Sequence, residues 1–253
     1  MMTRYLAWFS CGDASAVATK LTLAQYGAEN VTVAYTDTGS EHEDNKRFLL
    51  DCEKWFGVPI LRLKSDEYED VDDVIERRRF LNGPHGAPCT IELKKKVRWK
   101  IEADYDWQVF GYTADSKDAA RAVRFRQQNP DVRLLTPLIE RGLTKDDCHA
   151  VVAAAGIELP EMYKLGYTNN NCIGCVKGKM GYWNKIRVDF PETFQIRSRQ
   201  ERDLDHAMIH DADGPVFLDA LDPERGDYGS EPDIECSLLC AITNDEIDGG
   251  EAA

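Results

Sequence analysis

Two cysteines stand two residues apart, Cys172-Ile173-Gly174-Cys175, at the end of a stretch built from Gly166, Tyr167, Thr168 and three asparagines. A loop of this composition can turn both sulfurs toward one centre, and paired thiolates suit zinc or an iron-sulfur cluster. Two thiols do not complete either site, so partners must come from elsewhere in the chain. Of the eight cysteines, Cys52 shares a helical face with Phe48, Trp55 and Phe56, and Cys148 shares one with Val151, Val152 and Ala155. Both read as core residues. Cys89, Cys236 and Cys240 remain as partners for the pair. Cys89 closes the loop Gly83 to Pro88 and opens a basic segment, Thr90 to Ala103, that reads as a helix. A helix N-terminus favours the thiolate form. Of the five histidines, His85, in that same loop, is the one that reads as a site residue.

A second chemical feature lies at Ser10-Cys11-Gly12-Asp13-Ala14-Ser15. An apolar run, Tyr5 to Phe9, precedes it and an alanine-rich segment follows, which reads as strand, tight loop, helix. The first backbone N–H groups of such a helix have no partner within it, and the helix dipole adds partial positive charge. The fitting occupant is a phosphate or another oxyanion. Ser10 and Ser15 add hydroxyls to this cradle and Gly12 lets the backbone approach closely.

The elements that must position these residues alternate along the chain. Further strands are expected at Val31–Tyr35, Val58–Leu63, Gln108–Gly111 and Val132–Leu135. Helices are expected at His42–Phe56, Val71–Leu81, Asp115–Gln127, from Thr144, over Pro160–Leu165, and from Pro191 to about His210. Alternation of this kind predicts an α/β fold, a doubly wound, mostly parallel sheet with helices on both faces. Ligands in such folds sit outside the carboxyl ends of the strands. The loops after strands one, two and four, at Ser10, Asp37 and Gly111, then face one crevice. A Rossmann-like domain over residues 1–187 is expected, with a C-terminal helical and irregular extension over 188–253.

The 253 residues carry a formal charge of -14, which argues against a broad electrostatic grip on nucleic acid. Local basic clusters remain, among them Lys94 with its neighbours and Arg121 with Arg124, enough for a small anionic ligand. No apolar run approaches a bilayer span and the first residues lack a secretory layout, so a cytoplasmic protein without membrane association is expected.

Together these segments resemble the phosphoadenosine phosphosulfate (PAPS) reductase family within the adenine nucleotide alpha-hydrolase, or PP-loop, group. Ser10 to Ser15 is similar to that family's Ser-Gly-Gly-x-Asp-Ser loop, and Asp37-Thr38-Gly39 with Glu41 to its DTG-x-E motif. Cys89 to Lys94 is similar to its Cys-Cys-x-x-x-Lys segment. Pro137-Leu138, Thr144 with Asp147, Gly156, Leu159-Pro160, Tyr163, Gly166-Tyr167 and Cys172-x-x-Cys175 then follow in the order of the iron-sulfur sulfonucleotide reductases. The resemblance departs at three places: Asp13 stands where the loop often has Lys, Ala14 where it has Asp, and Cys89 is single where the family has a tandem pair.

The resemblance implies an enzyme of sulfur metabolism, an oxidoreductase acting on an adenylylated sulfur group. Its nucleotide is PAPS, adenylyl sulfate or ATP, with Mg2+ as the nucleotide's companion. Ser10, Gly12 and Ser15 would hold phosphate or sulfate, Asp37 and Gly39 would lie under the adenosine, Gly111 would belong to the same nucleotide site, and Lys94, Arg121 and Arg124 would neutralise the anion. Cys89, Cys172 and Cys175 match ligands of a 4Fe-4S cluster, and Glu235-Cys236-Ser237-Leu238 is similar to the reductases' nucleophile segment, making Cys236 the catalytic thiol. An electron- or sulfur-donor protein would be a partner. Three matched ligands also suit an ATP-dependent sulfurtransferase, in which an open iron carries sulfide to a nucleic-acid acceptor. A non-catalytic nucleotide-binding protein with a structural zinc is the third expectation.

Overall fold

The computed structural model describes residues 2–84 and 86–234. Its five-stranded sheet is parallel throughout and is made of β1 (Tyr5–Trp8), β2 (Val31–Asp37), β3 (Ile60–Lys64), β4 (Trp107–Val109) and β5 (Leu134–Leu135), ordered β3-β2-β1-β4-β5. The α/β fold read from the sequence is therefore the observed one. Tyr5 registers with Val31 on one side and Trp107 on the other, so β1 is the central strand. Its residues Leu6, Ala7 and Trp8 are buried, as a strand covered on both faces requires.

The connections supply α1 (Asp13–Tyr26), α2 (Asn45–Phe56), α3 (Val71–Arg78), α4 (Pro88–Thr90), α5 (Lys96–Trp99) and α6 (Ser116–Gln128). After β5 come α7 (Pro137–Glu140), α8 (Lys145–Ala154), α9 (Glu161–Lys164), α10 (Met180–Asp189) and α11 (Pro191–Leu204), then an antiparallel hairpin of β6 (Ile209–Asp211) and β7 (Gly214–Val216). Thr144 caps α8 by accepting from Asp147 N, while the Asp147 carboxylate returns the bond to Thr144 N at 2.8 Å, a reciprocal capping box. Among the described residues no helix is long and apolar enough to cross a membrane.

Contacts divide the chain into two compact units. The first comprises residues 1–37, 41–64 and 96–170 and contains the whole parallel sheet. Its core joins Ala7, Phe9, Val17, Val33, Phe48, Val109, Leu138 and Val152, and includes Cys52 and Cys148, both fully buried as their helical faces predict. The second unit comprises, among the described residues, 38–40, 65–84, 86–95 and 171–234. Its buried residues include Ile75, Leu81, Leu93, Trp183, Ile186 and Leu218.

Two expected helices differ in kind, while α3 stops at Arg78 rather than Leu81 and α10 lies where no helix was expected. The segment expected as one helix over Thr90–Ala103 is broken: α4 passes into a π-helical turn at Ile91–Lys95, then α5, then a 3-10 turn at Glu102–Asp104. The wider turn carries Glu92 and Lys95 onto the buried side, at 3% and 5% exposure, which a regular polar helix would turn to solvent. The helix expected to reach His210 ends at Leu204, where Asp205 takes a left-handed conformation with φ 49°. The buried carboxylate of Glu201 accepts from Met208 N at 2.7 Å and Leu218 N at 2.6 Å, and so holds the chain in the turn that leads to the hairpin.

Candidate functional site

In the first unit, β1 hands directly into α1. The last sheet-like bond is Phe9 N to Ala34 O at 2.8 Å, and the chain then turns sharply. Cys11 takes φ 60°, in the left-handed region that favours glycine. Its carbonyl accepts from Asn170 Nδ2 at 2.7 Å, and the same amide nitrogen donates to Asn45 Oδ1 at 2.7 Å. The Cys11 thiol lies 3.4 Å from the Asn45 carbonyl, fully buried, and burial pushes its pKa well above the ordinary thiol value. Cys11 is thus part of the scaffold of the loop.

Gly12 is the N-cap of α1 and has no side chain to offer the first turn. The Ser15 hydroxyl donates to Gly12 O at 2.9 Å and accepts from Ser10 N at 3.1 Å and from the Ser10 hydroxyl at 3.1 Å. Both hydroxyls therefore shape the loop in this state. Gly111, just past β4, presses against the same turn: a Cβ there would stand 2.6 Å from Ser15 N. The strand order reverses between β1 and β4, so the loop opens at the topological switch point of the sheet.

Asp13, the first residue of α1, is fully buried. Its Oδ1 accepts from the Lys145 ammonium and from the Tyr163 hydroxyl at 2.9 Å, and its Oδ2 lies 3.1 Å from His149 Nε2. Lys145 also donates to the Tyr163 oxygen at 3.0 Å. Burial pushes the Asp13 carboxyl up, but His149 and the Lys145 ammonium beside it prevail and hold it below the ordinary carboxylate value. Lys145 and His149 are four residues apart on α8, hence on one face, and that spacing was the available sequence signal. Among the described histidines it is His149 that meets the loop; His85 lies outside the described residues.

Asp37 ends β2, half-buried and paired in register with Lys64. Arg121 on α6 forms an ion pair with Asp118 at 2.7 Å and lies 5.5 Å over the Tyr112 ring. Arg124 is exposed on the same helix. Thr113 N and its hydroxyl donate to Asp118 at 3.1 and 3.0 Å, and Lys145 N donates to Asp115 at 2.9 Å. These bonds tie the loop after β4 to the starts of α6 and α8.

The second unit holds Gly39, Lys94, Cys89, Cys172 and Cys175. Gly39 takes φ 70° and leaves no room for a side chain beside the Glu69 carbonyl. Next to it, the Thr38 hydroxyl lies 3.1 Å from Cys172 Sγ, and Ser40 O accepts from Ile173 N at 2.9 Å. The Tyr182 hydroxyl, buried, accepts from Cys175 N at 2.9 Å and lies 3.5 Å from Cys172 O. Asn82 donates to Val176 O at 2.6 Å, joining the approach to Cys89 to the chain just past Cys175. Cys172 and Cys175 are buried and Cys89 is half-buried at the start of α4. Lys94, half-buried, lies in the π turn.

The donor chemistry, three thiols in one compact unit, suits a thiolate-held cluster. Among the described residues no three His, Cys, Asp or Glu side chains are grouped to hold an ion, so neither the zinc expectation nor the iron-sulfur one draws support from side-chain grouping. Cys236 and Cys240 lie outside the described residues.

No family model matches the chain. An uncharacterized protein of Methanocaldococcus jannaschii is 24% identical over 202 residues, 74% of this chain and 39% of that protein. The chain thus spans well under half the length of this relative. Among solved structures, the U34-tRNA thiolase NcsA from Methanococcus maripaludis with its 4Fe-4S cluster aligns with TM-score 0.43 and 18% identity, over 81% of this chain and 73% of that one.

Proposed function

We propose that this chain is an enzyme of sulfur chemistry that holds an adenine nucleotide, its phosphate or sulfate end seated on the Ser10–Ser15 loop. The observation that carries this reading is the placement of that loop. It opens a fourteen-residue helix at the carboxyl edge of the central strand, beside the point where strand order reverses, with Gly111 packed onto its first turn. Backbone N–H groups and the helix dipole favour an oxyanion there. Arg121 and Arg124 lie on the helix that follows β4, the strand beside the loop, and Asp37 ends the strand on its other side. The motif order stated above supports adenine as the base and sulfur as the reacting element.

Cys89, Cys172 and Cys175 would hold a 4Fe-4S cluster, which supplies a polarising, redox-active centre. The chain's own contribution is to fix the pair: Tyr182 receives the Cys175 amide and Thr38 stands at the Cys172 sulfur. In the reductase form of this reading, Cys236 attacks the sulfur of adenylyl sulfate as a thiolate, the S–S bond forming as the S–O bond to AMP breaks, and a dithiol reductant then cleaves that S–S bond to release sulfite. A second form, an ATP-dependent sulfurtransferase acting on a nucleic acid, is favoured by one observation: the thiols that match cluster ligands number three, all in the second unit.

Iron, sulfide and zinc content of protein purified without oxygen, with its visible spectrum, tests the cluster. Iron and sulfide with a broad charge-transfer band support it; zinc or no metal removes it. Sulfite release from adenylyl sulfate with a dithiol, abolished by Cys236→Ser, supports the reductase. Thiolated nucleic acid formed only when ATP is present supports the transferase. Absence of nucleotide binding overturns both.

A further inference from the structure

The phosphate loop carries an apparent contradiction. The first turn of a helix attracts anions, and here its first residue is itself a carboxylate, fully buried. An uncompensated charge at this depth would repel any phosphate that reached the loop. Lys145 removes the conflict. Its ammonium donates to Asp13 Oδ1 and, at 3.0 Å, to the Tyr163 oxygen, while the Tyr163 hydroxyl proton goes to Asp13 at 2.9 Å.

The position of this group relative to the loop is set by Gly12. A Cβ on Gly12 would meet the Tyr163 hydroxyl oxygen at 3.0 Å, so the cluster sits directly against the N-cap of α1. An ammonium has three N–H bonds. Two of them are directed at Asp13 and Tyr163, and among the described residues no further oxygen is bonded to the ammonium, which leaves the third for an oxygen bound at the loop. His149 Nε2 lies 3.1 Å from the other carboxylate oxygen of Asp13.

We infer that Lys145 supplies the cation of the phosphate loop, and that Asp13 is a positioning residue whose carboxylate, with the Tyr163 hydroxyl, aims the Lys145 ammonium at the bound oxyanion. The inference rests on the loop being an oxyanion site, as proposed above. It adds which residue meets the charge of the ligand. The positive charge comes from α8, more than 130 residues along the chain from the loop it serves.

Isothermal titration of the full chain with pyrophosphate and with ATP tests it. Lys145→Met is expected to weaken both ligands about tenfold or more, the loss of one charge-assisted bond to a phosphate. Lys145→Arg, which keeps the charge, is expected to stay within a few-fold of wild type. The deciding variant is the double change Asp13→Asn with Lys145→Met, which removes the buried charge as well as its partner and should fold even where the single change does not. If Lys145 meets the anion, the double variant remains about tenfold weak. If it binds like the wild type, Lys145 merely neutralises Asp13 and the inference is overturned. Failure of the wild-type protein to bind either ligand overturns the loop reading and this inference with it; binding by wild type and double variant alike overturns this inference alone.

Discussion

Gly111 and Ser15 touch backbone to backbone: a Cβ built on the glycine would stand 2.6 Å from the Ser15 nitrogen and 2.7 Å from its Cα. Backbone on a first helical turn cannot swing aside as a side-chain tip can. Gly111→Ala should therefore push α1 away from β4, costing about 1–3 kcal/mol by overpacking. The same displacement should weaken phosphate binding at the loop. Chemical denaturation with pyrophosphate titration checks both, and an alanine variant of unchanged stability would show that the sheet yields here.

Asp13 gives stability a definite pH dependence. Its carboxyl is held below the ordinary value by His149 and Lys145 against the opposing pull of burial. An acid with a depressed folded-state pKa contributes stability that is fully present above its unfolded value and is lost as pH falls through the folded one. The melting temperature of the wild type should therefore fall more steeply below about pH 4 than that of Asp13→Asn. Near neutrality the variant should be less stable by on the order of 2 kcal/mol, less than for a fully buried pair because the Lys145 side chain is 30% exposed. Parallel melting curves across acid pH would refute the assignment.

Tyr182 holds the turn between the paired cysteines through one atom. Its hydroxyl receives the Cys175 amide at 2.9 Å inside a buried pocket. Tyr182→Phe keeps the ring and removes that acceptor, at a cost of about 1–3 kcal/mol for a buried donor deprived of this bond. Hydrogen exchange at Cys175 N should quicken while exchange in the parallel sheet stays the same, since the sheet belongs to the other unit.

Glu231 closes the start of α10. Its carboxylate oxygens accept from Gly181 N at 2.6 Å and Tyr182 N at 2.9 Å, a cap supplied from fifty residues downstream. Glu231→Ala should lower stability by about 0.5–2 kcal/mol. Urea denaturation measures it, and Glu231→Gln, which keeps an accepting oxygen, should recover part of the loss.

Much of the parallel sheet was legible. Runs such as Tyr5–Phe9 and Val31–Tyr35 are apolar because strands covered on both faces have no solvent side, and Ser10–Gly12 breaks the first run where the chain must turn. The core positions of Cys52 and Cys148 followed from helical spacing alone. The end of α11 was not legible, because nothing local stops a polar helix at Leu204. The stop comes from a left-handed Asp205 and from Glu201 receiving two backbone amides of the following chain. The π turn at Ile91–Lys95 was hidden for a similar reason: its buried Glu92 and Lys95 violate the polar-outside pattern by which a helix is read.

The sequence by itself determined the five strands of the parallel sheet, the helix that follows the first of them, the small-residue loop between β1 and α1, and the spacing of Cys172 and Cys175, because each depends on residues within a few positions of one another. Only the tertiary structure decided that β4 lies beside β1, that residues 65–95 cluster with 171–234, and that Asp13 is answered by Lys145, Tyr163 and His149. These relationships join residues far apart in the chain, Asn82 and Val176 by 94 positions and Asp13 and Tyr163 by 150. Such pairings are selected by burial, by charge compensation and by space beside a glycine, quantities that exist only once the chain has folded.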